Sequence, residues 1–133
     1  RLHGLLALGL KCPVVDFPES LRLELGQEAM ANWKSSNRIP NLVGDNSPIP
    51  LHFGFYEECL TYDAYAVLPH IQMPTLIVHG DQDELIPRPQ IDRLLTTLTT
   101  TKQLQLIEGA GHWPHAEKPA VFVKILNDFL KER

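Results

Sequence analysis

Two short apolar runs, each closed by a glycine and each followed by a segment of helical period, constrain the fold most. Thr75–Gly80 reads TLIVHG and Gln103–Gly109 reads QLQLIEG. Between them Ile91, Leu94, Leu95 and Leu98 recur at helical spacing. After the second, Val121, Phe122, Ile125, Leu126 and Phe129 form a stripe that ends in charge. Strand, helix, strand, helix is the order of a right-handed βαβ unit, which joins parallel strands, so the fold class is α/β. TLIVHG is apolar without alternation, as suits a strand buried on both faces, whereas QLQLIEG alternates at first and belongs nearer an edge. A third apolar run, Leu2–Leu10 (LHGLLALGL), predicts a further core strand. The reading is therefore about three parallel strands with flanking helices.

The stretch between the first and second strands differs in character. Residues 14–72 hold five of the 11 prolines and a mixture of aromatic and polar side chains. PESLRLELGQEAMANWKSS predicts one or two short helices broken near Gly26, NRIPNLVGDNSPIP a loop or hairpin, and FYEECLTYDAYAVLPHI a helical pair. So long a segment between two core strands is too long for a plain connection and is expected to be a mainly helical cap or lid. The predicted organisation is residues 1–13 as a core strand, 14–72 as the cap, and 73–133 as the carboxyl-terminal βαβα part.

Composition narrows the partners. With 16 acidic and 12 basic residues among 133, the net charge is −4, and no basic run follows a phosphate backbone, so no nucleic-acid partner is expected. The opening apolar run is far shorter than the roughly 20 residues that span a bilayer and lacks a small-residue cleavage site, so no membrane association is expected. The two cysteines, Cys12 and Cys59, show no metal-ligand spacing, which predicts neither zinc nor a disulfide framework, and a reducing cytoplasm. No cofactor or metal is expected.

The chemistry gathers at two turns. HGDQDELIP (His79–Pro87) and GAGHWPH (Gly109–His115) each follow an apolar strand. In an open α/β sheet, functional groups collect at the carboxyl ends of the strands. A carboxylate and an imidazole, Asp83 and His112, are thereby expected side by side. Such a carboxylate fixes the tautomer of the ring and stabilises the imidazolium formed when it takes a proton, and the pair activates an otherwise weak nucleophile. Asp81 is a rival for the acid. His79 is expected to position the acid turn, and His115 to be a solvated residue near the last helix.

PTLIVHGDQDELIP followed by QLIEGAGHWPHAEKP resembles the acid and histidine turns of the α/β-hydrolase fold, whose triad runs Ser, Asp, His along the chain. The resemblance covers residues 74–131, and it implies Asp83 as the acid, three after Gly80, and His112 as the base. The middle segment, with PVVDFPES and FYEECLTYDAY, is similar to the caps of cinnamoyl or feruloyl esterase-like and serine aminopeptidase-like hydrolases. It implies an ester or amide substrate, with Phe53, Phe55, Tyr56, Tyr62 and Tyr65 as candidate pocket aromatics and Trp113 shielding the base. No glycine-flanked GxSxG serine occurs among Ser20, Ser35, Ser36 and Ser47. The expectation is a carboxyl-terminal half that works with an amino-terminal half or a companion chain, with an open sheet edge at its first strand that favours oligomers. Two alternatives stand beside it: a non-catalytic binding or assembly module on the same half-fold, and a dehalogenase- or epoxide hydrolase-like parent with an aspartate nucleophile.

Overall fold

The computed structural model describes residues 4–42, 44–45 and 47–132. Three parallel strands make one sheet in the order β1-β4-β5: β1 (Leu8–Lys11), β4 (Thr75–Gly80) and β5 (Lys102–Ile107). Leu8 pairs with Thr75 and Lys11 with Val78, while Thr75 through Gly80 pair with Lys102 through Ile107. β4 is buried along its whole length. Its side chains alternate between two cores, as the period of a strand requires. Ile77 enters a cluster with Tyr65, Leu68, Ile86, Ile91, Leu94 and Leu98, which covers α4 (Arg88–Thr97). Leu76 and Val78 enter a second cluster with Ile107, Ala110 and Phe129, against which Phe122, Ile125 and Leu126 of α6 (Pro119–Lys131) pack.

Three expectations need correction. The first strand is shorter than Leu2–Leu10, because its ladder with β4 begins only at Leu8; Leu5 and Leu6 are exposed, and Leu2 and His3 lie outside the described residues. The third run starts at Lys102 and stops at Ile107, so Glu108 and Gly109 belong to the turn. Val121 is exposed, since the buried stripe of α6 runs through positions 122, 125, 126 and 129 and leaves 121 beside it.

By contact the chain divides into two compact units, Arg1–Val15 with Ala64–Arg133, and Asp16–Asp63. The second is smaller than the 14–72 stretch. Tyr65 of α3 (Ala64–Val67) and Leu68 of the following 3₁₀ turn are buried in the cluster with Ile77, which ties residues 64–72 to the sheet. Within residues 16–63, α1 (Phe17–Ser36) starts at Asp16, whose side chain accepts from the Glu19 amide at 2.9 Å, with Pro18 in its first turn. The helix is broken at Gly26, as its sequence predicts. β2 (Arg38–Pro40) and β3 (Pro48–Pro50) form an antiparallel hairpin, followed by α2 (Gly54–Cys59). Leu21, Trp33, Ile39 and Tyr56 make the unit's own core, with the Trp33 indole donating to Leu51 O at 2.7 Å. Among the described residues no helix is long and apolar enough to cross a membrane.

Candidate active site

Parallel pairing of β4 with β5 puts their carboxyl ends together, and Gly80 lets the two following turns touch. A β-carbon at Gly80 would run into the carbonyl oxygens of Ala110 and Gly111, so only glycine fits there. The contact is then sewn with hydrogen bonds. The amide of Asp81 donates to Ile107 O at 3.2 Å and that of Gln82 to Ala110 O at 3.0 Å. Gly109, at φ +66°, reverses the chain, and its N–H donates to Asp81 Oδ1 at 2.8 Å.

Asp83 is at the centre of the site. Its Oδ1 accepts from the amides of Leu85 at 2.9 Å and Ile86 at 3.0 Å, and His112 Nδ1 lies 3.0 Å from its Oδ2. The carboxylate is fully buried, whereas the His112 side chain keeps 17% exposure. Because an ionised carboxylate only accepts, Nδ1 carries the ring proton and Nε2 keeps a lone pair. Burial works to raise the Asp83 pKa, but the Ile86 amide, the His112 ring and the Leu85 amide outweigh it and hold the carboxyl below the usual aspartate value. Asp83 is thus the carboxylate beside the His112 ring, and Asp81 staples the histidine turn instead.

Further groups surround these two; sequence reasoning singled out His79 among them, but not Glu117, Lys11 or Cys12. Glu117, at the end of α5 (Pro114–Glu117), accepts the Gly111 amide on Oε2 at 2.8 Å and the Trp113 amide on Oε1 at 3.0 Å, gripping the backbone on both sides of His112. Lys11 Nζ donates to His112 O at 3.1 Å and lies 4.7 Å from the Trp113 ring centre. His79 is 3% exposed, with Nδ1 unpartnered and 3.6 Å from Asp83 Oδ2. Burial pushes this imidazole below its ordinary value despite the neighbouring Asp83. Cys12, just past the end of β1, is buried at φ +42° with its amide on Val78 O at 2.8 Å. Burial pushes its thiol up to about 11, and the adjacent Asp83 adds to the rise. Its position past a strand's carboxyl end was the available signal.

The candidate pocket aromatics have different fates. Tyr56 is buried in the core of the Asp16–Asp63 unit, and Phe53 packs against that core, their rings 5.2 Å (Phe53) and 6.0 Å (Tyr56) from that of Trp33. Both rings thus help to close the unit. Tyr65 is likewise consumed in the sheet's core. Phe55, edge-on to Phe17, and Tyr62 are exposed. Trp113 is 57% exposed, its ring edge-on to that of His112 at 5.2 Å.

A family model described as alpha/beta hydrolase fold matches residues 19–119. The chain is 24% identical over 99 residues to the epoxide hydrolase EphH of Mycobacterium tuberculosis, a match covering 74% of this chain and 46% of that protein. It is 32% identical over 107 residues to the putative carbamate hydrolase RutD of Pseudomonas savastanoi pv. phaseolicola, covering 75% of this chain and 40% of that protein. It thus spans less than half the length of either relative. Among solved structures, Est1E from Butyrivibrio proteoclasticus superposes with a TM-score of 0.72 at 23% identity, over 96% of this chain and 51% of that one, a likeness of fold.

Proposed function

The chain belongs to the α/β-hydrolase fold family, and on that premise we propose that it carries the acid and base of a serine hydrolase of the carboxylesterase kind, acting on an ester or amide bond of a small molecule. One observation carries the reading: the fully buried Asp83 carboxylate, held by two amides, meets His112 Nδ1 at 3.0 Å. The nucleophilic serine and the oxyanion-binding amides come from a segment outside these 133 residues, on the same polypeptide or a companion chain. As the serine oxygen attacks the carbonyl, His112 Nε2 takes its proton and Asp83 stabilises the imidazolium. His112 then returns the proton to the leaving group, and a water molecule repeats the sequence to hydrolyse the acyl enzyme, releasing the acid and restoring the serine. Trp113, exposed and edge-on to the base, is a ring available to an apolar acyl or aryl group.

Similarity to a protein named as an epoxide hydrolase favours a second reading, in which an aspartate nucleophile forms the covalent ester and His112 activates the water that cleaves it. Labelling the full-length protein with a fluorophosphonate probe, followed by mass analysis, separates the two. Label on a glycine-flanked serine outside residues 1–133 is the expected result. Label on Ser20, Ser35, Ser36 or Ser47 overturns the map of the site, and no label at all favours the aspartate nucleophile or a non-hydrolytic binding module.

A further inference from the structure

We infer that Cys12, Asp83 and His112 form a binding site for one thiophilic divalent cation of the zinc class, whose occupancy switches the acid–base pair off. The Cys12 sulfur, an Asp83 carboxylate oxygen and a His112 ring nitrogen lie within 4.8 Å of one another. Thiolate, imidazole and carboxylate are the ligand types that zinc takes, and a tetrahedral ion accepts three of them with a fourth position left over. The three residues arrive on separate segments that are each tied down: Cys12 by its amide on Val78 O, Asp83 by the Leu85 and Ile86 amides, and the His112 loop by Lys11 and Glu117. An independent observation points into the same place. Among the described residues, His79 Nδ1 is the buried side-chain polar atom without a partner, and it faces the Asp83 oxygen that His112 uses.

Charge and proton counts agree with such a site. One dication, the Asp83 carboxylate and a Cys12 thiolate sum to zero around a neutral imidazole, which removes the net charge that burial disfavours. On binding, bonds form from the metal to sulfur, carboxylate oxygen and Nδ1. The Cys12 S–H bond breaks and its proton leaves to water, as a coordinating thiol is deprotonated outright. The Nδ1 proton of His112 moves through water to Nε2, so the ring stays neutral in the opposite tautomer. Nε2 then donates and no longer accepts, and a base that cannot accept is inactive. The switching step rests on the function proposed above; the binding step rests on geometry alone.

The test is titration of the full-length protein with Cd²⁺, followed by the ultraviolet thiolate-to-cadmium charge-transfer band, with Zn²⁺ as competitor. A stoichiometric band in the wild type and in Cys59→Ser, lost in Cys12→Ser and displaced by Zn²⁺, is expected. His112→Gln, which keeps the thiol, tests the site should Cys12→Ser fail to fold. Losing even an outer partner of a metal ligand costs about 10–100-fold in affinity, so this variant should bind at least that much more weakly. Zn²⁺ should also slow ester hydrolysis reversibly to chelator, with Cys12→Ala needing about tenfold more metal or beyond for the same fractional loss. An active enzyme with no band, or a band indifferent to both Cys12→Ser and His112→Gln, overturns the site. A protein that shows the Cys12-dependent band and hydrolyses nothing keeps the site and overturns the proposed function instead.

Discussion

Asp81 and Asp83 are separated by one residue in the same turn, yet Asp81 accepts from the Gly109 amide and Asp83 from the His112 ring. Asp83→Asn therefore leaves His112 without the acceptor that fixes its tautomer, and kcat should fall by about 10⁴. Asp81→Asn loses only a charge-assisted bond to one exposed amide, so the expected cost is about 1 kcal/mol of stability with kcat within tenfold. Steady-state kinetics of the two variants decide between them, and equal losses would refute the assignment. His79 makes a different prediction. Its folded-state pKa is depressed, so the unfolded chain takes up the proton first as pH falls below about 6.5, and stability drops through that window. His79→Phe should remove that part of the slope in urea denaturation between about pH 7 and 5. Asp83, also depressed, acts lower: its contribution is present above about pH 4 and is lost as the pH falls through its folded value.

At the level of elements, the site depends on two turns being pressed together. Gly80→Ala sets a β-carbon against two backbone carbonyls that cannot swing aside, and it should cost about 3 kcal/mol or more. Thermal melting measures this, and a neutral result would mean that the turns are less tightly joined than described. The single turn of α5 matters through Glu117 at its end. Glu117→Ala frees the amides of Gly111 and Trp113, so His112 loses its backbone clamp. The expected outcome is a loss of about 1–3 kcal/mol together with a lower kcat at nearly unchanged KM, with partial recovery in Glu117→Gln. A change in KM alone would assign Glu117 to substrate binding instead.

For the whole molecule, the described sheet leaves β1 paired on one side only, with Leu5 and Leu6 exposed just before it. Apolar edges of this kind pair with other chains unless covered. The 133-residue chain produced alone is expected to self-associate, as sedimentation velocity would show. A monomer with one sharp unfolding transition would count against this.

The fold class and the pairing of an acidic turn with a histidine turn were legible because each rests on local rules. Period-2 and period-3.6 apolar patterns report which face of a strand or helix is buried, and glycine-closed runs mark where strands end. The resemblance of the two turns to the α/β-hydrolase pattern was legible for the same reason. What the sequence by itself determined is therefore the order of strands and helices around the two turns and the residue types they present. Only the tertiary structure decided which aspartate reaches the imidazole, that Cys12 arrives beside them from a distant strand, that Phe53 and Tyr56 close their own unit, and that residues 64–72 join the sheet's core. These outcomes turn on atoms meeting across long stretches of chain, where one side-chain length separates a bond from a miss, and no local period carries that distance.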